Sequence, residues 1–483
     1  MKEKIVSNTF KSIVWSALER FSVQVLQFLI SIILARLVYP SEFGLIALLS
    51  IFISIAQSFV ESGFSSALIQ KNNRTEIDYS TVFYFNVLVS LLLYILLFFA
   101  APLISIYYHN PVLELLCKWM GLGIIIQSFS IVIITKLTVN LDFKTQAKAS
   151  LSAVIISGSF GVYLAYNDYG VWALLIQYLV NTLLNTVFLW WLSPWFPLPK
   201  FSYNSLKYLF PFGVRLLLAG ILHSVYMNLY SLVIGRKYTV MDVGYFSQAS
   251  LVARLPSVSL MAVISRAIYP IQCKINDDDS VELSRDLFIK YLRIASFVIF
   301  PIMIGLAVLS KSLILIFLSD RWLPMSEYLF ILSITYIWIP LLVMNNQMLL
   351  VNGRTDLFLK SESLKKIVGL LILVLSMPYG IAMLCYGLLV YNLIEVAIVI
   401  YFSKKVFQTG FLIQFKAIRN ILLSAISMGV IMYFILLLID DVYFELIVGV
   451  LVGILFYSFL SSMLRIKEFS DFRHLIRSAR RSS

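Results

Sequence analysis

Histidine and cysteine are nearly missing from this 483-residue chain, with three of each, and acidic residues are few beside basic ones, 25 against 38. Cys117, Cys273 and Cys385 are scattered, with none of the CxxC or Cys/His spacings that hold zinc or run redox chemistry. They read as small packing residues, and neither a metal nor another cofactor is expected. No GxxxxGK phosphate loop occurs, so the chain does not itself hydrolyse ATP. Long polar segments are missing too. No stretch between apolar runs exceeds roughly 25 residues, less than an independently folding domain requires.

What fills the chain is apolar. Hydrophobic residues make up 60% of it, charged residues 13%, and the mean hydropathy is +0.90, which excludes a soluble domain. About fourteen runs of roughly 18–27 residues emerge, each long enough for a ~30 Å hydrocarbon core. They lie near 12–38, 44–68, 80–106, 115–137, 147–166, 169–192, 208–233, 243–268, 291–309, 325–350, 362–379, 381–402, 418–439 and 445–464. The expected fold is therefore all-α and integral to a membrane.

Basic residues fall on alternate loops. One side carries Lys2, Lys71, Lys136, Lys200, Arg285, Lys360, Lys365, Lys404 and Arg473 among others, and the opposite side only Lys118, Arg236, Lys237, Lys311 and Arg321. By the positive-inside rule both termini are cytoplasmic. The same asymmetry accounts for the net charge of +13 without nucleic acid, because the basic residues are dispersed and lack aromatic interleaving. Residues Met1 to Phe10 are polar and the first apolar run is long, so no cleaved signal peptide is expected.

Pro194, Pro197 and Pro199 interrupt the chain after the sixth span and stiffen that segment toward an extended form. They divide a six-helix lobe at 1–193 from a second at 204–403, followed by two more spans at 417–464 and a basic tail at 465–483. Internal similarity supports the division. Arg36 precedes Glu42-Phe43-Gly44, and Arg236 precedes Asp242-Val243-Gly244 at the same spacing; Leu103 to Tyr107 is echoed by Leu313 to Phe317. A six-span unit enters the membrane twice in the same sense, so the lobes are expected to be parallel repeats with a binding site between them.

Polar residues inside the spans line up at helical spacing. Span one carries Ser16, Arg20, Gln24, Gln27 and Ser31, and span two Ser50, Ser54, Gln57, Ser58, Glu61 and Ser65. Span seven carries Arg215, His223, Tyr226 and Tyr230, and span eight Ser247, Ser250, Arg254, Ser257 and Ser265. Serine stripes alone read as helix–helix contacts. Arginine is different, since at a helix centre it costs about 2.5–3.5 kcal/mol to insert and would not face lipid. Arg36 and Arg236 lie near helix ends, where they can snorkel. Arg20 has Glu19 beside it, Arg266 lies near the cytoplasmic end, and Arg215 and Arg254 are deep with no acid in their own spans. Arg20, Arg215, Arg254 and Arg266, with Gln24, Gln27, Gln57 and His223, are thus the candidate substrate site. His223 reads first as a packed core histidine and second as a relay. Glu61 and Glu395, the deep acids, are candidates for ion coupling with H+ or Na+. Pro211, Pro256, Pro301 and Pro340 are expected to break helices and could serve as hinges. Guanidinium groups in a dry cavity select an anion, and phosphate suits them through bidentate contacts. The last two spans carry no charge between Ile421 and Ile439 or between Leu446 and Leu464, which suits a lipid tail as well as it suits bulk lipid.

Taken in order, Ala35-Arg36-Leu37 with Phe43-Gly44, Leu141-Asp142-Phe143-Lys144, Gly170-Val171-Trp172-Ala173-Leu174 and Leu232-Val233-Ile234-Gly235-Arg236 form a recognisable series. Gly244-Tyr245-Phe246-Ser247, Arg254-Leu255-Pro256, Tyr269-Pro270 and Asn352-Gly353-Arg354 continue it. Over about residues 8 to 400 the chain resembles the polysaccharide transporter family, the O-antigen and exopolysaccharide flippases of the multidrug/oligosaccharidyl-lipid/polysaccharide exporter superfamily. Within it the chain looks most like the colanic-acid and teichuronic-acid exporters. The resemblance implies two six-helix lobes around a V-shaped cavity, alternating access, and a place in the bacterial inner membrane. It implies an undecaprenyl-diphosphate-linked oligosaccharide as substrate, moved from the cytoplasmic to the periplasmic leaflet, with a polysaccharide polymerase and a chain-length regulator as partners. Lipid II flippases of the same superfamily use cationic cavity residues and a groove made with two extra helices. Cavity residues vary in the family, so the arginines above rest on their position and not on a fixed motif. A drug or cation antiporter of the same superfamily should carry cavity acids, and here deep arginines outnumber them. An O-antigen polymerase or ligase needs a sizeable external loop, and Tyr107–Glu114 and Ser319–Glu327 are short, so no enzyme is expected.

Overall fold

The computed structural model describes residues 22–61, 64–71, 73–276, 281–471 and 473. Among these every regular element is a helix. In chain order they are α1 (Ser22–Leu37), α2 (Pro40–Glu61), α3 (Phe64–Gln70), α4 (Glu76–Tyr107), α5 (Val112–Val139), α6 (Phe143–Tyr166), α7 (Val171–Leu192) and α8 (Tyr203–Lys237). There follow α9 (Val240–Asn276), α10 (Val281–Val308), α11 (Ser310–Phe317), α12 (Met325–Tyr336), α13 (Ile339–Val351), α14 (Thr355–Ser376), α15 (Ile381–Phe407), α16 (Phe411–Leu436) and α17 (Val442–Met463).

By length and apolarity twelve helical stretches among the described residues can cross a membrane. Two of the fourteen expected spans do not meet that measure. The first is described only from Ser22, and α14 carries Asp356, Lys360, Glu362, Lys365 and Lys366 between its start and its midpoint turn. The chain is a multi-pass, all-α membrane protein.

Local chemistry sets the helix starts. Thr75 and Asp78 form a capping box on α4: the Thr75 hydroxyl accepts from the Asp78 amide at 3.3 Å, and the Asp78 carboxylate accepts from the Thr75 amide at 2.8 Å. Asp142 and Asp441 accept from the amides three residues on, starting α6 and α17. Prolines expected to break helices do so only in part. α8, α9 and α10 run on through Pro211, Pro256 and Pro301, and only Pro340 marks a start, in the first turn of α13. Inside a bundle neighbouring groups and small backbone adjustments tolerate the missing donor.

The Pro-rich connector between α7 and α8 is non-helical, with a tight turn in which the Lys200 amide donates to the Leu198 carbonyl at 2.7 Å, and it is tied to α4. The Trp195 indole N–H donates to Glu76 at 2.7 Å, and Lys136 pairs with the same carboxylate at 2.8 Å. The amides of Leu198 and Ser202, residues between and beyond the prolines, donate to the Ser80 and Thr81 hydroxyls at 2.8 and 3.0 Å.

The chain forms two compact units, Met1–Gly244 and Tyr245–Ser483. In the first, α8 packs along α2, α3 and α4, so the seventh helix falls on the N-terminal side of this boundary. Its core joins Phe64, Val82, Phe83, Ile133, Leu189 and Trp195. In the second unit the core runs through α10, α13, α15 and α16, around Phe300, Met344, Val399 and Ala425. A buried amide cluster is set into it. Asn345 of α13 and Gln414 of α16 exchange two hydrogen bonds at 2.8 and 2.9 Å, and Ser403 of α15 donates to Asn345 at 2.6 Å. Pairing these groups with one another removes the penalty of burying them away from water.

Candidate functional site

The first unit contains a cavity of about 510 Å3 bounded by α1, α2, α5, α7 and α8. Its polar lining comprises Gln27 and Ser31 from α1, Ser50, Ser54 and Gln57 from α2, Gln177, Tyr178 and Asn181 from α7, and Asn228 from α8. Among the described residues, no carboxylate, ammonium or guanidinium lines it. The stripe on α2 arises because Ser50, Ser54 and Gln57 recur every three to four residues, so one helical face presents them all.

Several of these groups are fixed. The Gln57 amide donates to Gln127 of α5 at 3.0 Å. Asn228 donates to Ser54 at 3.4 Å and to the Ser224 carbonyl at 2.8 Å, while Ser58 and Ser224 share a hydrogen bond at 2.9 Å. These contacts hold α8 against α2. The Asn181 carbonyl oxygen is buried and takes no hydrogen bond from the described residues. An amide- and hydroxyl-lined pocket of this kind offers donors and acceptors in pairs, which is what ring hydroxyls of a sugar require.

The second unit holds two further features. A groove of about 460 Å3 lies along α10, α11, α16 and α17. It is lined by Pro301, Gly305, Leu309, Met428, Met432 and Gly453, and the Tyr457 hydroxyl beside it donates to the Phe297 carbonyl at 2.9 Å. Elsewhere in this unit Arg254 of α9 is half-buried, has no ion-pair partner among the described residues, and lies close to the buried phenol of Tyr336, which also faces Ser250.

The structure brings two of the expected site residues together, Gln27 and Gln57 in the first-unit cavity. Gln24 of α1 and Arg266 of α9 are exposed, and neither lines that cavity. His223 is also exposed, not packed in a core, because its face of α8 turns from the side that carries Ser224 and Asn228 to α2. Arg20 lies outside the described residues, as do the side chains of Glu61 and Arg215. Glu395 sits on α15 with its carboxylate 3.4 Å from Lys365. Lys365 itself departs from expectation: counted from the sequence among solvent-facing basic residues, it is 2% exposed within α14. At the start of that helix, Arg354 pairs with Asp356 at 2.9 Å and holds the Asp356 carboxyl down at about 2.

Gln127, Gln177, Tyr178, Asn181 and Asn228 escaped the sequence reading. Their signal was available as the Gln177, Asn181, Asn185 series, spaced by four on α7, and as the Ser224, Asn228 pair on α8. Neutral amides in an apolar helix look the same whether they line a cavity or join two helices.

Comparison with known proteins bears on this arrangement. The profile of a family described as "Polysaccharide biosynthesis protein" matches residues 33–327. The teichuronic acid biosynthesis protein TuaB of Bacillus subtilis (strain 168) is 26% identical over 348 residues, 71% of each chain. The lipopolysaccharide biosynthesis protein WzxC of Escherichia coli (strain K12) is 25% identical over 324 residues, 67% of this chain and 65% of that one. Among solved structures, the lipid II flippase MurJ in an inward closed conformation superposes with a TM-score of 0.74 at 18% identity, covering 96% of this chain and 100% of that one. An inward-facing multidrug resistance MATE family transporter gives 0.64 at 15% identity, over 81% and 98%.

Proposed function

The chain belongs to the family described as "Polysaccharide biosynthesis protein", and on that premise we propose that it flips an undecaprenyl-diphosphate-linked oligosaccharide from the cytoplasmic to the periplasmic leaflet of the inner membrane by alternating access. It is a transporter and not an enzyme. The observation that carries the reading is the presence of two unlike binding surfaces in one membrane chain. The first unit offers an amide-lined cavity, with no charged side chain among the described residues that line it, that suits hydroxyl-rich sugar. The second offers an apolar groove walled by the last two helices, which suits a prenyl chain. Arg254 of the second unit, half-buried and without a carboxylate partner among the described residues, supplies a guanidinium suited to a diphosphate. Outward movement of an anion down a membrane potential, negative inside, releases about 2.3 kcal/mol per charge per 100 mV.

The test is export of surface glycan in a strain lacking its own flippase, with protein level followed alongside. Restored glycan supports the reading. Unflipped lipid-linked repeat units accumulating in the cytoplasmic leaflet, despite normal amounts of inserted protein, would refute it for that substrate class.

A further inference from the structure

The least expected charge in the molecule is the Lys365 ammonium. It lies halfway along α14, and its side chain is 2% exposed. Two carboxylates hold it. Glu362, one turn earlier on α14, makes the closer contact, and Glu395 of α15 lies 3.4 Å away; their side chains are 29% and 19% exposed. Two carboxylates and one ammonium leave a net charge of −1 when all are ionised, in a place that strongly disfavours uncompensated charge.

We propose that Glu395 is a single-proton site and that the Lys365 ammonium occupies the position a metal cation would take, so that H+ rather than Na+ is the coupling ion. The proposal rests on the transport reading above and names its ion. Glu395 is the member of the pair that takes the proton, because its contact with the ammonium is longer and its carboxylate is the more buried. One added proton brings the cluster to zero charge. A sodium ion would also balance the charge, but it would have to share both carboxylates with an ammonium a few ångströms away and find several more oxygens. A proton needs one lone pair.

The surroundings fit a neutral carboxyl. Its O–H requires an acceptor, and the Asn392 carbonyl oxygen, one turn before Glu395 on the same helix, is buried with no hydrogen-bond partner. Asn392 is 7% exposed. The ionisable groups facing Glu395 are Lys365 and Glu362 from α14 and the Tyr336 phenol from α12, with Arg254 of α9 beyond that phenol. α13 has no ionisable side chain, α16 carries Lys416 and Arg419 in its first turns, and Asp356 at the start of α14 is bound by Arg354.

Infrared spectroscopy of the purified full-length protein across pH, in sodium chloride and again in choline chloride, tests this without any substrate. The wild type should show a protonated-carboxyl band that titrates at the same midpoint in both salts, and Glu395→Gln should remove it. Glu362→Gln deletes the competing negative charge and leaves the ion pair, so the midpoint should fall, by roughly one pH unit or more. Lys365→Met deletes the ammonium, so the midpoint should rise. If Lys365→Met does not fold, the Glu362→Gln shift still decides the sign. A band that survives Glu395→Gln, no titrating band in the wild type, or a midpoint displaced by sodium would overturn the proposal. Any of these would leave the transport reading standing, since glycan export tests it independently.

Discussion

Gly44 in α2 and Gly244 in α9 lie against each other's helix starts, and each leaves no room for a side chain. A β-carbon at Gly44 would fall 1.8 Å from the Val240 carbonyl oxygen, and one at Gly244 would fall 1.9 Å from that of Pro40. The contact is reciprocal across residues 200 positions apart, 40 with 244 and 44 with 240. Both helices are also capped alike. The Tyr39 amide donates to the Glu42 carboxylate at 3.1 Å, and the Thr239 amide to that of Asp242 at 3.0 Å. In an open helix Gly→Ala is stabilising by about 1 kcal/mol. Here the obstacle is backbone, which cannot rotate away. Gly44→Ala and Gly244→Ala should therefore each lower the melting temperature in detergent and reduce glycan export at least about tenfold, equivalent to ~1.4 kcal/mol. A melting temperature that stays or rises in either variant would show that the crossing relaxes freely.

The cavity of the first unit gives a second expectation. Gln57→Leu deletes a donor to Gln127 and replaces a lining amide with a hydrocarbon of similar size. Asn181→Leu deletes the buried acceptor that no protein group uses. Removing an unused acceptor should not weaken the fold, so Asn181→Leu should keep wild-type thermal stability and lose export. Normal export by this variant, in cells whose repeat unit carries neutral sugars, would detach the cavity from substrate binding.

A third expectation concerns stability alone. Asn345→Ala strands the buried Gln414 carbonyl oxygen, which accepts from Asn345, and leaves the Gln414 N–H and the Ser403 hydroxyl only their backbone acceptors at Thr409 and Ile400. Leaving buried polar groups without partners costs about 1–3 kcal/mol. Thermal unfolding should show a clear decrease, and it should be smaller for Asn345→Ala combined with Gln414→Leu than the two single losses added together. Simple additivity would mean that the two amides do not act as a pair.

Sequence patterning made much of this structure legible, for reasons that differ by residue. Apolar runs of membrane length announce most of the helices, because no other element satisfies its backbone within lipid. Thr75 and Asp78 announce a helix start, and Pro194, Pro197 and Pro199 a break between helices, since both signals are local. Lys365 was not legible. A lysine among Lys360 and Lys366 in a charged stretch reads as solvated, and only the approach of Glu395 from a helix thirty residues on explains its burial. Asn181 was missed for the same reason: what separates a cavity from a helix contact is the neighbouring helix, which spacing along one helix does not encode. Arg254 is the intermediate case, its depth readable and its lack of a carboxylate partner evident only in the fold.

That lack of a partner yields the last prediction. A half-buried guanidinium with no counter-ion among the described residues either meets an anion during the transport cycle or serves only to pack near Tyr336. The two roles respond differently to substitution. Arg254→Lys keeps the charge but loses the two-pronged geometry, so an anion site should retain part of its export. Arg254→Met keeps much of the bulk and loses the charge, so a packing role should survive it while an anion site should not. Export should therefore fall in the order wild type, Arg254→Lys, Arg254→Met, with equal amounts of protein in the membrane. The loss in Arg254→Met should be at least about a hundredfold, since a charge-assisted bidentate contact is worth ~3 kcal/mol. Full export by Arg254→Met would assign this arginine to packing, and the diphosphate would then have to be held by cations elsewhere in the chain.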